Sequence, residues 1–165
     1  MFKFNADKFN QFKSISEFWG DKMPIMACEE FSELTYSIVE YRQSMDAPSY
    51  LREVATESAD AVISLFAVAH TFGINLFDVY SYANYFENLV MFDEELYFED
   101  VIERCANATI TISKKIRKPD SVGDVRLKRV FGELLLAIYY MISLSEIKDQ
   151  FAKALDDKMR EVKTE

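Results

Sequence analysis

Two short acidic runs hold the side chains best suited to chemistry: Cys28-Glu29-Glu30-Phe31-Ser32-Glu33 and Glu57-Ser58-Ala59-Asp60. Side chains three or four positions apart share one face of a helix. Glu30 and Glu33, Glu29 and Glu33, and Glu57 and Asp60 all have that spacing, so each run makes a short acidic ledge. Between them, Asp46-Ala47-Pro48-Ser49 reads as a turn, with Ser49 as the N-cap of the next helix. Glu33 lies about 14 residues before the turn and Asp60 about 12 after it, which puts both ledges about 20 Å from the bend. A chain reversing there would face the ledges across an antiparallel helix pair. Carboxylates converging in one groove repel unless cations hold them. Oxygen ligands without a paired His or Cys suit a hard cation, Mg²⁺ or Mn²⁺, rather than zinc. A solvated acidic face explains either run alone; matching heights on neighbouring helices favour the metal site.

The order Glu-Glu-x-x-Glu, a spacer of this size, then Glu-x-x-Asp resembles the signature of the all-α nucleoside triphosphate pyrophosphohydrolases, the MazG-like superfamily. That group includes dimeric dUTPases and phosphoribosyl-ATP pyrophosphohydrolases. The continuation Ala61-Val62-Ile63-Ser64-Leu65-Phe66, then Phe72-Gly73-Ile74-Asn75, resembles the segment after the motif in that family. The match covers about residues 15–90. The resemblance implies hydrolysis of a ribo- or deoxynucleoside triphosphate to the monophosphate and pyrophosphate. By position it makes Glu30, Glu33, Glu57 and Asp60 the metal ligands. Glu29 matches the carboxylate that orients or deprotonates the attacking water.

In several relatives a Tyr-x-x-Lys-Asn-like segment contacts phosphate or sugar. Here Tyr80-Ser81-Tyr82-Ala83-Asn84 keeps Asn84 as a substrate contact but puts Ala83 where the lysine would be. Phosphate neutralisation would then fall to Lys22 or to Lys114, Lys115, Arg117 and Lys118. That basic run also reads as a complement to a helix C-terminus. Trp19 is a candidate for stacking on a base, although a lone Trp on an apolar stripe is more often a core residue. His70 has no paired ligand at metal spacing and reads as structural, and Cys28 as a small hydrophobe rather than a nucleophile.

The whole chain sets bounds on these readings. Its 165 residues fit one domain, 1–165, with a candidate catalytic half to about residue 90 and a structural half beyond. Half of the residues are apolar, with four Gly and three Pro, which favours an all-α globule. A net charge of −9 argues against gripping a nucleic-acid polymer, although metal ions can reverse the sign locally for a small anion. Cys28 and Cys105 form neither a disulfide framework nor zinc spacing, so a reducing interior is expected. The N-terminus lacks an apolar signal core, and the longest apolar run, Leu134 to Ile142, is too short for a bilayer. The expectation is a cytoplasmic protein with no membrane partner.

Periodicity predicts helices over 7–19, 24–44, 50–71, Asn75 to about Asn88, about Asp93 to Arg117 and Asp124–Leu144, with a tail helix from Ser145 to about Lys163. Apolar stripes run through Phe9, Phe12, Ile15 and Phe18/Trp19, through Phe31, Leu34, Ile38 and Tyr41, and through Val54, Ala61, Leu65, Val68 and Phe72. Gly73 marks a stop. Lys153, Lys158, Arg160 and Lys163 of the tail, interspersed with acids, read as a solvated face. A faint repeat aligns Leu51…Val54…Glu57…Asp60 with Leu127…Val130…Glu133…Leu136 and places Cys105 near Cys28. The second copy keeps only Glu133 of the acidic set, as a degenerate duplicate would. Helical hairpins bury their remaining apolar face poorly alone, so a homodimer or homotetramer is expected.

The leading expectation is a Mg²⁺-dependent nucleotide pyrophosphohydrolase serving the nucleotide pool, with Mn²⁺ as the alternative ion. Two rivals stand beside it. A phosphoribosyl-ATP pyrophosphohydrolase would want more basic residues for a second phosphate cluster. A helical binding or regulatory protein without turnover fits the missing lysine at Ala83, but gives no reason to retain mutually repelling acids.

Overall fold

The computed structural model describes residues 1–89 and 95–162. Seven α-helices account for its regular structure, with two single 3₁₀ turns and no strand among the described residues. They are α1 (Ala6–Trp19), α2 (Met23–Gln43), α3 (Pro48–Thr71), α4 (Leu76–Phe86), α5 (Tyr97–Arg117), α6 (Asp124–Leu144) and α7 (Lys148–Val162). The fold is an all-α bundle. None of the described helices is long and apolar enough to cross a membrane.

The centre of the bundle is α3. Every residue from Ser58 to Ala69 is buried except Asp60, the mark of a helix with neighbours on all sides. Ala55, Ala59, Ala61, Ala67 and Ala69 keep it thin, so α1, α2, α6 and α7 can all rest on it. Against α1, the rings of Phe12 and Phe66 stack with centroids 4.8 Å apart, and the Ser16 and Thr71 hydroxyls share a 2.8 Å hydrogen bond. The apolar stripe of α2 is buried at Phe31, Leu34 and Ile38, with Tyr41 at its edge. Phe18, by contrast, is 61% exposed, because α1 turns it away from α3 at the end of its stripe.

Packing has the same form in both halves. α1 rests on α3 as α4 rests on α6; α2 pairs with α3 as α5 pairs with α6; the halves meet through α2 with α5 and α3 with α6. α7 is additional and covers α3. Close approach of α4 to α6 requires Gly132, where an added Cβ would stand 2.5 Å from Cδ1 of Tyr82.

Turn chemistry fixes the helix ends. Gly73, at φ 77°, closes α3 with paired bonds from the Gly73 amide to the His70 carbonyl and from the Ile74 amide to that of Ala69. Asn75 then caps α4 by accepting from the Phe77 amide at 2.9 Å. Two expected starts differ. α3 begins at Pro48 with Ala47 as its N-cap, so Ser49 lies inside the first turn; proline's fixed φ suits that first position. α7 begins at Lys148 rather than Ser145, because Ser145 and Glu146 (φ 61°) close α6 first. The expected start of the fifth helix at Asp93 and the end of the tail at Lys163 lie outside the described residues.

Gly132→Ala should destabilise the protein. The gain in helix propensity, about 1 kcal/mol, is outweighed by overpacking of about 1–3 kcal/mol. A thermal melt should show Tm falling by a few degrees, and an unchanged or higher Tm would contradict the close α4–α6 contact.

Candidate acidic metal centre

The α2–α3 hairpin sets the register that the acidic spacing predicts. Glu30 and Glu33 of α2 and Glu57 of α3 each bring a carboxylate oxygen within 4.8 Å of the others. Glu30 and Glu57 are half-buried and Glu33 is exposed, so the cluster opens on one side to solvent. One oxygen of each half-buried acid, Oε2 of Glu30 and Oε2 of Glu57, is shielded from solvent and has no hydrogen-bond partner. Leaving buried acceptors unpaired costs about 1–3 kcal/mol each.

The electrostatics follow from this crowding. Burial, then the charges of Asp60 and Glu33, pushes the Glu30 carboxyl up to about 7. Burial, a hydrogen bond shared with Glu53 and the charges of Asp60 and Glu33 push Glu57 up to about 8. Near neutrality the cluster therefore holds protons that isolated carboxylates would have lost. A hard divalent cation can replace those protons and give the shielded oxygens a partner. The donor set fits such an ion.

The five expected carboxylates do not converge equally. Asp60 is turned toward α7, where its Oδ2 accepts from the Lys158 ammonium at 2.8 Å. Burial raises the Asp60 carboxyl while the bond to Lys158 works against that rise. Glu29 is exposed beside the cluster and adds only the smallest of the charge effects on Glu30. The expectation of a fully solvated tail is corrected at Lys158, whose ammonium is carried to Asp60 by the docking of α7 on α3. Lys153 and Arg160 remain exposed and pair with Asp157. Only the period of the buried stripe Ile147, Phe151, Leu155 and Met159 could have shown which tail residues face α3.

The weaker candidates lie elsewhere. Ala83 is fully buried where α4 packs on α6, so that position is a packing site in this chain; Asn84 beside it is exposed. Trp19 packs partly against the core, its ring edge-on to Phe18. Lys22 is exposed on the 3₁₀ turn before α2. Of the basic run, Lys115 donates to the Pro119 and Val122 carbonyls and holds the α5–α6 loop. Nε2 of His70 stands 3.9 Å from Glu17.

The second hairpin offers an internal contrast. Glu133, which the repeat aligns with Glu57, accepts from Arg104 at 2.8 Å, and Arg104 also reaches Asp100 at 3.6 Å. One arginine is shared between the two acids of that hairpin, and Oδ2 of Asp100 is likewise shielded without a partner, whereas the first hairpin brings three acids together with no arginine among them.

No family model, curated protein or solved structure matches the chain. The chemistry of the site therefore rests on its own geometry.

Raised carboxyl pKa values carry a sign. Because folding lifts Glu57 from an ordinary value to about 8, the metal-free native state is progressively penalised as pH rises between those two values. Glu57→Gln removes the penalty. With the side chain half open to solvent, the gain is about 1 kcal/mol, or about 2–4 °C in Tm. Metal-free melts at pH 8 should show this gain, and melts at pH 5 should show much less. Equal effects at both pH values would mean that the carboxyl does not titrate in this window.

Proposed function

We propose that this chain is a divalent-metal-dependent pyrophosphohydrolase that converts a ribo- or deoxynucleoside triphosphate to its monophosphate and pyrophosphate, in upkeep of the nucleotide pool. The observation that supports the reading is the meeting of Glu30, Glu33 and Glu57 across the α2–α3 hairpin, with two shielded oxygens left unpartnered. The MazG-like spacing of the same residues supplies the reaction class.

Glu30, Glu33, Glu57 and Asp60 would hold Mg²⁺, or Mn²⁺ in its place. An ion there supplies charge neutralisation for phosphate oxygens and acidifies bound water. Glu29, exposed at the rim, orients the attacking water and receives its proton as the bond to phosphorus forms. Attack breaks the bridge between the α- and β-phosphates, and pyrophosphate leaves. Asn84, Trp19 and Lys22 stand apart from the acidic cluster, so sugar, base and phosphate contacts by them rest on the MazG-like resemblance alone. Assembly as a homodimer or homotetramer belongs to the same proposal, as does a cytoplasmic setting.

A second reading, a helical binding module without turnover, is favoured by the Lys158–Asp60 pair, through which the chain supplies a cation of its own. Pyrophosphate release from a panel of nucleoside triphosphates with Mg²⁺ or Mn²⁺ separates the two. Turnover of one or a few nucleotides, reduced about 10³-fold or more in Glu30→Gln, Glu33→Gln, is the expected result. No release from any nucleotide would leave the binding module. Independently, Mg²⁺ at about 100 times its Kd should raise Tm by about 5–10 °C, and the double variant should lose that response.

A further inference from the structure

Ala83 leaves the proposed centre without the cation found there in MazG-like relatives. We propose that Lys158 is the phosphate-binding cation of the acidic centre, parked on Asp60 until a divalent ion takes the carboxylates. The proposal rests on the metal-site reading above and adds a residue that the MazG-like spacing does not contain.

Two observations carry it. The Lys158 ammonium lies 2.8 Å from Oδ2 of Asp60, whose side chain is only 17% exposed and which sits one helical turn beyond Glu57 on α3. Lys158 also lines a groove of about 340 Å³ between α3 and α7, together with Arg52, Thr56, Gln150 and Lys153. Asp157 and Glu161 line it too, and Asp157 is already engaged by Lys153 at 2.6 Å and Arg160 at 3.3 Å.

One ammonium therefore joins an acidic centre to a groove of mixed charge, where Arg52 and Lys153 stand with Asp157 and Glu161. A single positive charge cannot satisfy Glu30, Glu33, Glu57 and Asp60 together, whereas a divalent ion is the stronger partner for clustered oxygens. Once Asp60 turns to that ion, the ammonium is repelled by it and has a flexible four-carbon stem with which to move. The groove lies beside it, and an anionic oxygen bound there is its best remaining partner.

The test uses the full chain with Mn²⁺ and inorganic pyrophosphate as probes. By calorimetry, Lys158→Met should bind Mn²⁺ about fivefold tighter, since a competing charge is gone. The Mn²⁺-loaded variant should bind pyrophosphate about tenfold or more weakly, the worth of one charge-assisted hydrogen bond. Lys158→Arg should stay near wild type on both counts. In the unmutated protein, acylation of Lys158 followed by mass spectrometry should rise when Mn²⁺ is added and fall again with pyrophosphate. This arm needs no variant to fold. Mn²⁺ binding by the wild type with no change in either affinity in Lys158→Met, or flat acylation, would overturn the role of Lys158 and leave the metal site standing. Failure of wild type and variant alike to bind Mn²⁺ would remove the metal site, and Lys158 with it.

Discussion

A helix enclosed on every side cannot hide a charge, and α3 is such a helix. Its small residues admit four neighbours, and the apolar ring they form around it is broken at Asp60 and Glu57. These acids are held in place by the packing of everything else, so their repulsion cannot be relieved by moving apart. Their carboxyls respond by holding protons or by finding a cation. The alanine content of α3 and the chemistry of its edge are thus one design problem, since a bulkier α3 would push α2 and α7 beyond reach of the acids.

The helices and the hairpin register were legible because each rests on local rules. Amphipathic spacing, Pro48 opening α3, the left-handed Gly73 and the Asn75 cap all act within a few residues. From those rules came the facing of Glu30 and Glu33 with Glu57. What stayed hidden depends on the third dimension. Lys158 is separated from Asp60 by nearly the whole second half of the chain, and its neighbours Asp157 and Glu161 disguise it as one more surface charge. Glu29 shares the motif but stays exposed at the rim, because it points about 100° away from its neighbour Glu30. Ala83 gave the opposite lesson: what read as a lost functional lysine is a contact that α4 needs against α6.

The two hairpins show how one arrangement supports two electrostatic outcomes. In α5–α6, an arginine reaches across to Glu133 and back to Asp100, so the cation comes from within the hairpin. In α2–α3, no basic residue of the hairpin itself pairs with the acidic cluster among the described residues, and its cation comes from α7. A self-sufficient pair stiffens a scaffold. A cluster served by a cation from another element is tied less rigidly to its partner, and its oxygens exchange more readily.

The covering of α3 by α7 also bears on the birth of the protein. The six other helices leave the ribosome before α7, and helices form in microseconds while synthesis adds about 5–20 residues per second. Until α7 follows, the side of α3 that it covers is bare and Asp60 lacks its ammonium. The nascent chain thus passes through an interval in which a greasy strip lies beside unneutralised acid. Both are closed by one event, the docking of α7, which covers the strip and delivers the ammonium together.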